Sequence, residues 1–207
     1  MAMGEPKLED LSIIAWLVEN GFVNEKGEKL SFKEHGYLYD IYRDFSPYQV
    51  VKKAAQVGMS VTVVLKALFM AKTRGLNVIY TLPSDDDVHE FVPTKVDKII
   101  QSNPNLLNLL KNDKVELKEI AGRFIHFKGT RSKTAPIMTT ADLLIHDEKD
   151  RSEQPILEQY GSRLARSQYK GVWTLSNPST ANTGVDVDWR SSDRKEWFIV
   201  CEHCKEE

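Results

Sequence analysis

Tyr48-Gln49-Val50-Val51-Lys52-Lys53-Ala54-Ala55-Gln56-Val57-Gly58-Met59-Ser60 reads as a strand, a loop of small residues and the first turn of a helix. Pro47 opens the strand, and Ala54 to Gly58 forms the loop. Ser60 to Lys72 is apolar almost all round, which predicts a buried helix. Its β-branched residues would suit a strand, but its length decides for helix. A glycine loop between a strand and a helix points backbone N–H groups and the positive end of the helix at a phosphate. The common pattern for such a loop is G-x-x-x-x-G-K-[ST]. Gly58 and Ser60 match it, whereas Lys53 stands at the first glycine and Met59 at the lysine. A triphosphate still needs one cation near its β- and γ-phosphates. Lys53, at the start of the loop, can reach across to supply it, with the Ser60 hydroxyl on Mg²⁺. Taken alone, the window reads equally well as a strand-to-helix turn with no ligand.

Outward from the loop, strands and helices alternate. Leu8, Leu11, Ile14, Trp16 and Leu17 are close to helical spacing over Leu8–Asn20, and Gly21 stops the helix. Tyr37 to Tyr42 is a short amphipathic helix. Asn77–Leu82 is a second strand. Ser84 caps a helix running to about Gln101, with Asp86 and Asp87 in its first turn. Val115–Ile120 and Arg123–Lys128 form a hairpin around Ala121-Gly122. Asp142–His146 is a third core strand, Glu153–Arg166 a helix capped by Ser152, Gly171–Ser176 a fourth strand and Trp197–Val200 a fifth. This alternation predicts an α/β fold with a mostly parallel sheet.

In such sheets ligands bind beyond the carboxyl ends of the strands. The third strand delivers Asp147 and Glu148 there. Asp147 suits Mg²⁺, and Glu148 suits positioning and activating a water, the division of labour that phosphoryl transfer requires. The competing reading is a solvated acidic turn. Ser176-Asn177-Pro178 ends the next strand beside the acidic pair, where a polar side chain can sense the γ-phosphate. The order of phosphate loop, acidic strand, helix and polar strand end is harder to reach by chance than any single part.

The chain has 207 residues, 41% of them hydrophobic, and a formal net charge of −2. That is room for one large domain with its own core, and the charge favours no class of partner. Two cysteines at Cys201-x-x-Cys204 make no disulfide framework, no apolar run nears the roughly 20 residues of a membrane helix, and Met1–Gly4 is no secretory signal. The expected setting is cytoplasmic. Cys201 and Cys204 would supply half of a zinc site at most, with His203 between them, so free thiols are the default. His35, His89, His126 and His146 show no ligand spacing.

The chain resembles the large terminase subunit of tailed bacteriophages, specifically its N-terminal ATPase domain. The resemblance rests on Val51–Ser60, Tyr80–Asp87, Leu143–Glu148, Gln159–Leu164, Leu175–Ser179 and Val200–Cys204, so it covers Tyr37 to Glu207. Terminases often carry the phosphate-loop lysine at the start of the loop, where Lys53 stands. The resemblance implies a RecA-like P-loop NTPase fold with an additional strand, ATP and Mg²⁺ as cofactors, and hydrolysis that drives double-stranded DNA into a procapsid. It implies a nucleotide site over Lys53, Ala54, Ala55, Gln56, Val57, Gly58, Met59 and Ser60, metal binding by Ser60 and Asp147, catalysis by Glu148, and coupling through Ser176 and Asn177. The implied partners are the small terminase subunit, the portal protein and further copies of the chain in a ring, with a monomer expected in isolation, no membrane, and the host cytoplasm as location. Residues 1–36 are expected as a helical lead-in and 37–207 as the ATPase domain. The family usually continues into a nuclease domain, which this chain is expected to lack. The family's adenine segment commonly holds a glutamine upstream of the loop. Here His35-Gly36-Tyr37 stands instead, and Tyr37 can stack on adenine or be a core aromatic.

An arginine finger is expected at Arg131, in the polar loop Lys128–Lys133, acting across a subunit boundary; Arg163 is its rival within one subunit. Two other functions compete. A helicase-like ATPase would need a second RecA-like domain. A degenerate P-loop domain that binds nucleotide or DNA without hydrolysis is supported by Met59 and opposed by Glu148.

Overall fold

The computed structural model describes residues 12–33, 35–131, 139–198 and 203–204. Seven strands form one sheet, flanked by helices. The strands are β1 (Tyr48–Lys52), β2 (Val78–Leu82), β3 (Leu110–Lys114), β4 (Leu117–Ile120), β5 (Arg123–Gly129), β6 (Leu143–Asp147) and β7 (Gly171–Ser176), in the order β1-β7-β6-β2-β5-β4-β3. The five strands from β1 to β5 across that order pair in parallel, and β4 and β3 add an antiparallel edge. β2 and β6 are buried along their whole length, as continuous apolar strands covered on both faces must be. The α/β, mostly parallel fold is as expected.

Register sets the site. Lys52 pairs with Ser176, and Leu175 with Asp147. The phosphate-loop strand, the polar strand and the acidic strand therefore end level with one another. β7 stands between β1 and β6 as the additional strand.

Helix α3 (Met59–Arg74) starts where Gly58 takes a left-handed φ of 75° and stops at Gly75, φ 64°. Eleven of its residues are buried, among them Val63, Val64, Leu68, Phe69 and Met70. At about 1.5–3 kcal/mol for each large apolar side chain removed from water, this helix is the main support of the loop before it. Lys66 is buried with them. Its ammonium donates to the Ile41 and Asp44 carbonyls and to Gln49 Oε1, at 2.7, 2.6 and 3.0 Å. Helix α1 (Ile13–Glu19) puts Ile13, Trp16 and Leu17 into the same core, with Trp16 against Phe69. Helix α2 (Tyr37–Arg43) packs on α3.

Several elements differ from the sequence reading. The helix expected up to Gln101 is α4 (Asp85–Phe91), a π-turn (Val92–Val96) and α5 (Asp97–Ser102); its Ser84 cap is as expected, accepting from the Asp87 N–H at 3.1 Å. Pro93 has no N–H to donate and would clash in a regular turn, and the wider turn accommodates it. The helix expected over Glu153–Arg166 is shorter, α7 (Gln154–Gly161) followed by a 3₁₀ turn. Ser152 does not cap it, because its hydroxyl donates to the Glu148 carbonyl. Trp197 and Phe198 lie in irregular backbone, not in the fifth strand expected there; Ile199 and Val200 lie outside the described residues. The reading missed β3, the short helix α6 (Pro104–Leu107) and helix α8 (Gly184–Arg190), which packs against β1. Among the described residues no helix is long and apolar enough to cross a membrane.

Candidate nucleotide site

Lys53 follows directly on β1 and is fixed there by its N–H, which donates to the Ser176 carbonyl at 2.9 Å. Strand alternation sends the two lysines apart. Lys52 points outward to Asp186 and the Trp189 ring. Lys53 points inward, with its ammonium 2.6 Å from Glu148 Oε1 and 3.5 Å from Asp147 Oδ1. The three groups meet although they come from two strands with β7 between them.

Asp147 is almost fully buried. Its Oδ2 accepts from the Tyr80 hydroxyl at 2.7 Å, and its Oδ1 from the Glu148 N–H at 3.0 Å. Tyr80 therefore fixes Asp147 from the neighbouring strand, and β2 supplies a site residue that the sequence reading did not single out. Glu148 has φ 56° and ψ 45°, a left-handed conformation that costs a non-glycine residue roughly 1–3 kcal/mol. It turns the chain away from the sheet while keeping the carboxylate over Lys53.

Burial opposes the charge on Lys53, but the Asp147 carboxylate and then the Glu148 contact outweigh it, so its pKa is raised and the ammonium is held charged. Burial likewise drives the Tyr80 phenol well above its ordinary range, with Asp147 adding to it, so Tyr80 stays a donor. His146, buried and bonded to the Thr81 hydroxyl at 2.8 Å, is pushed down to about 3 by burial and is neutral.

The loop itself is open. Ala54, Ala55, Gln56 and Gly58 are exposed, and Gln56 and Gly58 have left-handed φ of 61° and 75°. Among the described residues the backbone N–H groups from Ala54 to Gly58 make no hydrogen bond of ordinary geometry. No side chain caps α3, and no acid stands in its first turn. Unspent donors at an uncapped helix start make a ready seat for an anion. Met59, at the usual lysine position, is buried and offers the loop no charge. Val57 is held from outside by the Tyr37 hydroxyl, which donates to its carbonyl at 2.8 Å. Tyr37 also meets Trp197 edge-on at 6.0 Å. The glutamine nearest upstream, Gln49, is occupied with the Asp44 and Ser46 carbonyls.

Ser176 is fully buried; its hydroxyl donates to the Asn177 carbonyl and accepts from the Asp150 N–H, both at 3.1 Å, while the Asn177 side chain is exposed. Arg131 is exposed at the end of β5, on the same edge of the sheet, two strands and so roughly 10 Å sideways from β6. Two of its neighbours in that polar loop, Gly129 and Thr130, are tightly held. A Cβ on Gly129 would lie 2.3 Å from the Asp85 backbone nitrogen, and Thr130 is fully buried with its hydroxyl bonded to Pro83 and Glu153. Ser132 and Lys133 lie outside the described residues. The Arg163 backbone lies at the opening end of β6, where its carbonyl accepts from the Ala141 N–H at 3.2 Å.

Among the described residues no three His, Cys, Asp or Glu side chains converge on a metal position. Cys204 is an exposed thiol, and Cys201 lies outside the described residues. An open cleft of about 530 Å³ lined by His89, Glu116, His126 and Lys128 contains none of the loop residues.

Residues 40–207 match the family model of the ATPase domain of the phage terminase large subunit gpA. No curated protein matches the chain in sequence. The large terminase of HK97 bacteriophage is similar in structure at 12% identity, with a TM-score of 0.71, over 91% of this chain and 42% of that one. The large terminase ATPase domain of Thermus phage P74-26 is similar at 15% identity, with a TM-score of 0.57, over 70% of this chain and 64% of that one. At these identities the likeness is one of fold. The chain spans less than two thirds of the length of either.

Proposed function

The chain belongs to the family of phage terminase large subunit ATPase domains, and from that premise we propose that it hydrolyses ATP with Mg²⁺ to drive double-stranded DNA into a procapsid. The observation that carries the reading is the Lys53 ammonium held between Asp147 and Glu148 at the mouth of an open, uncapped phosphate loop.

The loop N–H groups and the start of α3 bind the phosphates. Lys53 is already charged and moves from Glu148 to the β- and γ-phosphates. Ser60 and Asp147 would hold a magnesium ion bound with the nucleotide, which would supply charge neutralisation at the phosphates. Tyr80 keeps Asp147 aimed by donating its hydroxyl to Oδ2. Glu148, released from Lys53, orients the attacking water and draws off its proton. Ser176 and Asn177 lie where a change at the γ-phosphate reaches β7. Tyr37 borders the loop where a base would lie, and Arg131, from a neighbouring copy in a ring, offsets charge on the phosphoryl group. DNA, the portal protein and the small terminase subunit are the proposed partners, in the host cytoplasm, with residues 37–207 as the ATPase domain and 1–36 as its lead-in.

Steady-state phosphate release, measured with and without double-stranded DNA, tests this. Hydrolysis should depend on Mg²⁺ and vanish in Glu148→Ala. Nucleotide binding with no turnover under any condition would instead support a domain that only binds.

A further inference from the structure

Three contacts tie α8 to the candidate site, each through a residue one or two positions from a site residue. Lys52, beside Lys53, reaches Asp186 at 3.4 Å and lies 3.7 Å over the Trp189 ring. Lys149, beside Glu148, pairs with Asp188. Asp150, two residues beyond Glu148, makes the third and most extensive contact. Its Oδ1 accepts from the Val185 N–H at 2.7 Å, and its Oδ2 from the Ser179 N–H at 2.9 Å and the Ser179 hydroxyl at 3.1 Å. Its own N–H donates to Ser176 Oγ. The approach is so close that a Cβ on Gly184 would lie 2.2 Å from Asp150 Oδ1, and Gly184 has a φ of +53° besides. Only glycine fits there on both counts.

These contacts share a pattern. At the end of β1 and again after β6, one residue faces the phosphate loop and its neighbour grips α8. We infer that Asp150 is a positioning residue, which latches the turn carrying Glu148 to the Ser176–Val185 segment, and that α8 is the element moved when Lys53 and Glu148 separate. The inference rests on the nucleotide site proposed above. Asp150 touches no reacting atom. It holds the strained Glu148 backbone in place, so losing the latch should lower turnover while leaving the phosphate seat intact.

Trp189 is a built-in reporter, because the Lys52 ammonium lies on its ring. Binding of Mg²⁺ and a non-hydrolysable ATP analogue should change tryptophan emission in the wild-type chain and not in Trp189→Phe. Asp150→Asn should bind the analogue within about twofold of wild type by calorimetry, lose the Trp189 response, and show kcat lower by about 10–100-fold at little-changed KM, the range for loss of a group that supports a site from behind. Ser179→Ala, which removes one of three donors, should move both readouts the same way by less, and it carries the test if Asp150→Asn does not fold. No calorimetric binding by the wild-type chain would overturn the nucleotide site itself. Normal binding, with kcat and the Trp189 response untouched in Asp150→Asn or, failing that, in Ser179→Ala, would overturn the latch alone.

Discussion

Glu148→Gln should tighten ATP binding while abolishing most turnover, and the opposed directions follow from the geometry at Lys53. Without nucleotide the Lys53 ammonium is committed to Glu148 at 2.6 Å and leans on Asp147 at 3.5 Å. To serve the phosphates it must give up the shorter contact. A hydrogen bond to a charged group contributes about 1.5–3 kcal/mol. Glu148 is partly open to water, its side chain 27% exposed, so the lower end applies. The amide of glutamine keeps the shape, removes the charge, and leaves Lys53 bound to Asp147 only loosely. About 1.4 kcal/mol of competition removed is about tenfold in Kd. Turnover should fall at least ~10²-fold, because the amide cannot take the proton of the attacking water. Calorimetric titration with Mg·ATP at a temperature where turnover is slow gives the first number, and single-turnover phosphate release gives the second. Weaker binding in Glu148→Gln would refute the competition, since it would mean that Glu148 helps hold the nucleotide. Unchanged turnover would refute its role as base.

Lys53→Ala should abolish hydrolysis and lower the melting temperature, because two neighbouring carboxylates lose their cation; Lys52→Ala should hydrolyse more slowly than wild type but measurably, and equal activity in the two variants would sink the assignment. Lys66 is pushed down to about 7, chiefly by burial and despite the Asp44 carboxylate, against an ordinary value of 10.5. The unfolded chain therefore binds this proton more tightly, and Lys66 should make stability rise from pH 7 to pH 10, a slope that denaturant melts should find missing in Lys66→Met. That variant should also be less stable by about 1–3 kcal/mol at pH 7, since it leaves three partly buried acceptors without their shared donor. If Arg131 acts across a subunit boundary, activity should rise with protein concentration, and mixing Arg131→Ala with Glu148→Gln chains should restore part of it; a monomer at full activity despite Arg131→Ala would exclude the finger, which is worth roughly 10³–10⁵ in turnover.

The sequence was most legible where the fold buries most. β2, β6, β7 and α3 are dense apolar runs, and burial on all sides leaves such runs no other state. The strand-to-helix turn was readable from its glycine, and the position of Glu148 from the buried strand it follows. β3 was not readable, because Leu110-Lys111-Asn112-Asp113-Lys114 is a polar edge whose strand character comes from pairing with β4. α8 was hidden because Gly184–Arg190 is held by Lys52, Lys149 and Asp150, contacts between 35 and 134 positions away in the chain that no local pattern encodes. Tyr80 looked like one more strand aromatic, since only the register of β2 against β6 shows that its hydroxyl meets Asp147. Trp197-Phe198-Ile199-Val200 has the composition of a strand, yet Trp197 packs against Gly36 and Tyr37 outside the sheet. Lys66, read as one position of an apolar helix, owes its burial to acceptors that come from the Ile41–Gln49 segment.

The π-turn between α4 and α5 acts like a spare tooth in a gear. A residue in an α-helix advances the side chains by about 100°, so one surplus residue, taken up as a bulge, leaves everything downstream in the phase of a helix one residue shorter. Val88, Val92, Val96, Ile99 and Ile100 all stay on the buried side across the bulge. It follows that Pro93 is dispensable to the phase. Deleting it closes the bulge to an ordinary turn, restores a missing N–H donor, and leaves Ile99 and Ile100 facing inward. The same deletion at Leu65, in the bulge-free α3, swings the following turns out of register with the sheet. Thermal melts of the two deletions should differ widely, and a Pro93 deletion as damaging as the Leu65 one would show that the extra residue is structural rather than spare.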